Sequence, residues 1–169
     1  MGLPGISFIA ATNENDVVPE YLETGIFSPR PSVPTLSTAM DVGDPSNLDR
    51  IRHLYGEDLE ALRRDVLGVS VTDEETRSCI RRVWGETGYV LDPHSAVGLV
   101  ALEREMMRQP GARGVFLATA HPAKFSEVVE PILGRPVPTP PPLARCLRRD
   151  RKVVTLEPRQ EALQEILWP

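Results

Sequence analysis

Thr119, His121 and Lys124 place a hydroxyl, an imidazole and an amine within one short stretch, Thr-Ala-His-Pro-Ala-Lys. The run before it, Gly114-Val-Phe-Leu-Ala118, is unbroken and apolar, and predicts a strand buried on both faces of a parallel sheet. From Pro122 onward the spacing of Phe125, Val128, Val129 and Ile132 predicts a helix, with Pro122 in its first turn where a missing N–H costs nothing. The three chemically able residues therefore belong at the carboxyl end of a strand and the mouth of a helix. Open α/β sheets bind ligands at that place, and free N–H groups there favour anions. On spacing alone the same turn is also ordinary architecture.

A second polar group, Thr12-Asn-Glu-Asn-Asp16, follows another predicted buried strand, Ile6–Ala11. Asn15 or Asp16 is expected to cap a short helix over Val17–Leu22 that Gly25 closes. Asn13, Asn15 and Asp16 either satisfy local backbone groups or line a pocket beside Thr119, and the spacing leaves both open. Ser95, with Asp92, is a candidate cap of a helix running through Met107 that reads as apolar or small almost all round, and Ser95 is also a candidate pocket residue. His53, His94 and His121 lack ligand spacing, so no metal site is expected. Cys79 and Cys146 lack metal or redox spacing and read as reduced thiols of a cytoplasmic protein.

The elements that must position these residues follow from the rest of the chain. Its 169 residues, 25% charged and 41% hydrophobic, describe one folded domain. A net charge of −5 without a Lys/Arg run argues against a nucleic-acid surface, and no apolar run is long enough to span a membrane. The apolar Gly2–Ala11 lacks the basic flank of a signal peptide, and Ile6 breaks the myristoylation pattern. Ser28–Pro34 reads as a proline-punctuated loop. Asp44 and Pro45 are expected to open a helix with Leu48, Ile51, Leu54 and Tyr55 on its stripe, ending at Gly56. Leu59, Leu62 and Val66 form a second amphipathic stretch. Thr72 and Glu75 spell a capping box before a helix that buries Ile80, Val83 and Trp84 and stops at Gly88. Val69–Val71 and Val153–Leu156 are weak strand candidates.

Alternating strands and helices predict an α/β fold with a mostly parallel sheet and flanking helices. With only two confident strands, one starting a few residues into the chain after a Gly-Leu-Pro-Gly turn, the pattern is expected to be part of a larger sheet. Residues 1–135 read as the folded portion. Residues 136–142, Pro-Val-Pro-Thr-Pro-Pro-Pro, read as a stiff connector, and 143–169 as a carboxy-terminal extension with a basic patch and a surface helix over Pro158–Leu167.

Six stretches, in order and spacing, resemble the carboxy-terminal part of threonine synthase in its long bacterial and fungal form. They are Phe8-Ile-Ala-Ala-Thr-Asn-Glu-Asn-Asp-Val-Val-Pro19, Pro31-Ser-Val-Pro-Thr35, Ala39-Met-Asp-Val-Gly-Asp-Pro-Ser-Asn47, Asp73-Glu-Glu-Thr76, Gly88–Gly98 and Phe116–Phe125. The resemblance implies the tryptophan-synthase-β-like fold (fold type II) and pyridoxal 5'-phosphate as cofactor. It implies the conversion of O-phospho-L-homoserine and water to L-threonine and phosphate.

The resemblance also gives Thr119 the place of the hydroxyl that faces the pyridine nitrogen, and puts His121 near the cofactor. A hydroxyl can hydrogen-bond that nitrogen without protonating it. The ring is then a weaker electron sink, which suits elimination over transamination. The family's Schiff-base lysine and its phosphate-cradling loop belong to the amino-terminal half, which this sequence does not contain. Lys124 and Lys152 match neither, so no catalytic residue is expected in this chain. Completion is expected from that half, in the same polypeptide or as a separate chain. The alternative is a non-catalytic relic acting as a ligand-binding or interaction module.

Overall fold

The computed structural model describes residues 6–56 and 58–168, so the expected Gly-Leu-Pro-Gly turn lies outside the described residues. Two strands form its sheet. β1 spans Phe8–Thr12 and β2 spans Val66–Ser70; they run parallel in register from Phe8 opposite Val66 to Thr12 opposite Ser70. β1 thus begins two residues after and ends one residue after the expected Ile6–Ala11. It is half-buried, with Phe8 61% exposed at its start. β2 takes in Val69 and Ser70 of the weak Val69–Val71 candidate, leaves Val71 outside and extends back to Val66. Val153–Leu156 is not a strand, and no partner pairs with it among the described residues.

Helices cover both faces of this pair. α1 (Val17–Thr24) ends at Gly25, whose φ of 80° is the left-handed value a glycine tolerates best. It packs on β2 so closely that a Cβ on Gly68 would stand 2.6 Å from Pro19 Cα. α2 (Leu48–Tyr55) and α3 (Leu59–Asp65) follow. The Asp44-Pro45 opening is corrected: the Pro45 carbonyl instead accepts the Leu48 N–H at 2.9 Å in a tight turn, and Asn47 stands at the cap. Leu54 is fully turned to solvent, so the buried stripe of α2 begins at Leu48 and excludes it.

α4 (Asp73–Thr87) carries the expected capping box: Thr72 Oγ1 accepts the Glu75 N–H, while the Glu75 carboxylate accepts the Thr72 N–H at 2.9 Å. Thr76, Cys79, Ile80 and Val83 are its buried face. Trp84 is half-buried instead, beneath the Arg135 guanidinium at 4.7 Å from the ring centre. α5 (Pro93–Arg108) is buried only along its first half. Met106 and Met107 are exposed, because the residues that pack on the sheet, Val97 and Ala101, sit early in the helix. Val71, Val97 and Ala101 form a core cluster with Ile9, Ala11, Met40, Val69 and Val100 against it. Fully burying a valine such as Val71 or Val97 contributes roughly 1.5–3 kcal/mol.

The stretch after Pro122 is two elements. Pro122–Phe125 is a 3₁₀ turn, and α6 covers Ser126–Leu133. Phe125 at φ −125°, ψ 36° breaks the helical path between them. Inside α6, Pro131 removes the N–H that would reach the Glu127 carbonyl.

The chain divides into two compact units, Met1–Pro138 and Thr139–Pro169. The second unit holds α7 (Pro141–Leu147) and α8 (Gln160–Leu167). α7 begins inside the proline run read as a connector, since prolines fit a first helical turn. α8 begins two residues after the expected Pro158, with Arg159 at its cap.

Candidate functional site

At the carboxyl end of β1 the chain enters a buried polar network. Asn13, 1% exposed, donates through Nδ2 to Thr35 Oγ1 at 2.7 Å and to Asp41 Oδ1 at 2.8 Å. Its Oδ1 accepts the Asn15 N–H and Asn15 Nδ2, each at 2.9 Å. Asn15 then spans to Val33, donating to its carbonyl at 2.9 Å and accepting its N–H at 2.8 Å. Asp41 gathers Thr35 as well, by the Thr35 hydroxyl at 2.7 Å and its N–H at 3.1 Å. These bonds fix the loop Ser28–Thr35 and the turn at Thr38–Met40 against the strand end. Sequence reasoning missed Asp41, Thr35 and Ser37, each of which meets Asn13 from more than twenty residues away. The signal was indirect: Thr35 and Asp41 fall inside two of the six recurring stretches.

A cleft of about 240 Å³ opens beside this network, lined among others by Thr12, Asn15, Ala39, Met40 and Asn47. Thr12 Oγ1 is buried and has no hydrogen-bond partner among the described residues. Asn15 faces the cleft, but its polar atoms are already engaged in the network. Asn13 lies behind it.

Asp16 and Ser95 stand elsewhere. Asp16 occupies the cap position of α1 without a side-chain capping bond, and pairs with Arg30, which also binds Glu20. Hydrogen bonds that the Arg30 guanidinium donates, to Glu20 first and Asp16 second, hold it above its ordinary pKa. Ser95 is buried and its hydroxyl donates to Asp92, the cap of α5, which accepts the N–H groups of His94 at 3.0 Å and Ser95 at 3.4 Å.

Thr119 ends an extended segment, Ala112–Thr119, that is not a strand: nothing pairs with Gly114–Ala118 among the described residues. The expectation of a strand buried on both faces is therefore corrected. The segment follows the period of an extended chain, with Phe116 lying inward against Gly98 of α5, while Val115 and Leu117 are 86% and 80% exposed. Its apolar residues have one neighbour to pack on, and the other face is open. Thr119 is itself exposed, and its hydroxyl has no hydrogen-bond partner among the described residues. His121 caps the 3₁₀ turn: Nδ1 accepts the Ala123 N–H at 3.1 Å, so Nε2 carries the proton of the neutral ring. Lys124 is exposed. Among the described residues no group of three or more His, Cys, Asp or Glu side chains gathers as a metal site, and no helix is long and apolar enough to cross a membrane.

A family model described as pyridoxal-phosphate dependent enzyme matches residues 1–120, and one described as threonine synthase, C-terminal, matches residues 95–167. The chain belongs to the pyridoxal-phosphate dependent enzyme family. Within it, the portion matched is the carboxy-terminal part of threonine synthase. Threonine synthase of Serratia marcescens is 46% identical over 145 residues, and that of Escherichia coli (strain K12) 45% identical over 144; each alignment takes in 85% of this chain and 33% of the relative. The crystal structure of threonine synthase from Escherichia coli superposes with a TM-score of 0.81 at 40% identity, over 98% of this chain and 38% of that one. The pyridoxal-phosphate-bound threonine synthase from Brucella melitensis gives 0.77 at 30% identity, over 99% and 41%. The chain spans about a third of the length of the curated relatives it matches. These neighbours share its α/β fold, that of the type II pyridoxal-phosphate enzymes.

Proposed function

We infer that this chain is the carboxy-terminal portion of a threonine synthase, contributing one wall of a site that an amino-terminal portion completes, in the same polypeptide or as a separate cytoplasmic chain. The reaction of the completed site is the conversion of O-phospho-L-homoserine and water to L-threonine and phosphate with pyridoxal 5'-phosphate. The observation that carries this reading is the extent of the likeness: nearly the whole chain follows threonine synthase from Escherichia coli, yet spans 38% of it.

The residues present fit the cofactor. The free, exposed Thr119 hydroxyl can donate to an unprotonated ring nitrogen, and it is too weak an acid to protonate it. When bound, the cofactor supplies an electron sink for bond cleavage next to the substrate's amino group. His121 keeps the following turn closed and presents an N–H donor at Nε2. The Asn13–Asn15–Asp41 network holds the cleft wall rigid. Neither Lys124 nor Lys152 is placed as a catalytic lysine, so the isolated chain is expected to be inactive.

The test mixes the 169-residue chain with the separately expressed amino-terminal portion of Escherichia coli threonine synthase and measures phosphate release from O-phosphohomoserine. Activity confined to the mixture and lost in Thr119→Val supports the reading. Absence of activity with both parts folded and associated refutes it. One observation favours a second reading, an interaction module without catalysis: the open apolar face at Val115 and Leu117 suits a protein partner. Association of the two portions without phosphate release is the outcome that selects it.

A further inference from the structure

His94 lies where three separate elements meet. Its Nε2 accepts the Ala39 N–H at 3.1 Å across 55 residues of sequence. An accepting Nε2 requires the proton of the neutral ring to sit on Nδ1, which lies 3.0 Å from Asp92 Oδ1 and so donates to it. The ring also packs against Phe125, with centroids 4.7 Å apart and planes tilted by 52°. Asp92 is buried and holds this imidazole while capping α5, and Ser95 Oγ donates to the other carboxylate oxygen. The serine hydroxyl is thereby committed to the aspartate and does not meet the imidazole, so the Asp92–His94–Ser95 set is no nucleophilic triad.

Both far ends of this arrangement matter. Ala39 lines the cleft beside Thr12 and Asn15, and Asp41, two residues on, anchors the buried network. Phe125 ends the 3₁₀ turn that His121 caps and that Thr119 leads into. No hydrogen bond among the described residues joins Thr119 or His121 directly to the Asn13–Asp41 network. We propose that His94 is a positioning residue, which ties the cleft wall at Ala39 to the loop carrying Thr119 and His121 through one fixed tautomer held by Asp92. Its consequence for catalysis rests on the reading of Thr119 given above; the tie itself rests on the geometry alone.

Amide hydrogen exchange on the full 169-residue chain tests it, read at Ala39, Ala123 and Lys124, with the Ile80 amide of α4 as a check on the fold. His94→Phe keeps a ring against Phe125 but neither polar bond. His94→Asn keeps a donor toward Asp92, and His94→Gln keeps an acceptor within reach of Ala39. Loss of one net hydrogen bond of about 1.4 kcal/mol corresponds to roughly tenfold faster exchange. The expected result is about tenfold acceleration at Ala39 in His94→Phe and His94→Asn, with protection recovered in His94→Gln. Faster exchange at Ala123 and Lys124 is expected in His94→Asn and His94→Gln, which lack the ring on Phe125, but not in His94→Phe. Acceleration at Ala39 alone makes His94 a local cap of one turn and overturns the proposal, as does unchanged exchange at all three sites. If His94→Phe also loosens Ile80, the Asn and Gln pair decides. Cofactor uptake by the mixture with the amino-terminal portion, followed by fluorescence, is read separately. A mixture that takes up none of it fails the functional reading, while the exchange rates still judge the tie.

Discussion

The Asn13 amide donates to the Asp41 carboxylate at 2.8 Å across 28 residues of sequence. That bond joins the end of the first strand to a turn reached only after α1 and a proline-rich loop. Asp41 is the hub of the arrangement because a carboxylate accepts several bonds at once, here from Asn13, Asn15 and both polar groups of Thr35. The Thr35 N–H has no other acceptor among the described residues, whereas the Asn13 and Asn15 amides also reach Thr35, Ser37, Asn13 and Val33.

Asp41→Ala strands the Thr35 N–H and takes one acceptor from Asn13, Asn15 and the Thr35 hydroxyl, and a buried group without its partner costs about 1–3 kcal/mol. The expected loss of unfolding free energy is about 3 kcal/mol, measured by urea titration of the chain. Asp41→Asn keeps one accepting oxygen and is expected to lose less. Equal losses in the two variants would show that both accepting oxygens are needed, because asparagine keeps the shape but only one of them.

Two glycines should answer oppositely to alanine. A Cβ at Gly43 would stand 1.8 Å from the Arg30 carbonyl oxygen, where backbone crosses backbone and the Arg30 N–H meets the Gly43 carbonyl at 3.0 Å. Neither chain can yield without breaking that bond, so Gly43→Ala is expected to cost upwards of about 3 kcal/mol. Gly85 sits in the last turn of α4 with nothing within 4 Å of the added carbon. Gly85→Ala is expected to add roughly 0.5–1 kcal/mol through helix propensity. Thermal melts of the two variants check both signs.

The parts legible in the sequence were those decided locally. The Thr72–Glu75 capping box, the Asp92 cap and the glycine stops at Gly25, Gly56 and Gly88 depend on residues within one turn, and each stands where spacing predicted it. Gly114–Ala118 failed for the opposite reason. Its composition suits a buried strand, but a strand exists only with a neighbour, and that information is not local. The Asp44-Pro45 opening failed because the same pair also makes a tight turn, which tertiary contacts selected. Asp41 and His94 were invisible as site residues because their partners, Asn13 and Ala39, lie 28 and 55 residues away.

The open face of the Gly114–Ala118 segment has a measurable consequence. Val115 and Leu117 point away from α5 into solvent, and exposed apolar side chains in an unpaired extended segment favour association. The isolated chain is expected to self-associate at micromolar concentration. Val115→Ser with Leu117→Ser should shift it toward monomer in sedimentation velocity, while Phe116→Ser, which removes an inward contact at Gly98, should lower stability instead. A chain already monomeric at high concentration would contradict the first expectation without touching the second.

Glu75 makes stability depend on acid. The Thr72 N–H bond is the largest influence holding its carboxyl below the ordinary value of 4.5; burial opposes this, and the Thr72 hydroxyl and Arg104 add to the lowering. A carboxylate whose folded pKa is depressed contributes stability above its unfolded value and loses that contribution as pH falls through the folded one. Glu75→Gln retains an oxygen that can accept the Thr72 N–H, so α4 keeps its cap but loses the charge that pairs with Arg104. At neutral pH the native chain should therefore be the more stable of the two, by an amount that salt reduces because the pair is partly exposed. As pH drops below 4.5 the native side chain gains a proton and comes to resemble the glutamine, so the two urea midpoints should converge. A gap that stays constant from pH 7 to well below the carboxylate range would mean that the pair is held by shape alone, with ionisation of Glu75 adding nothing to the fold.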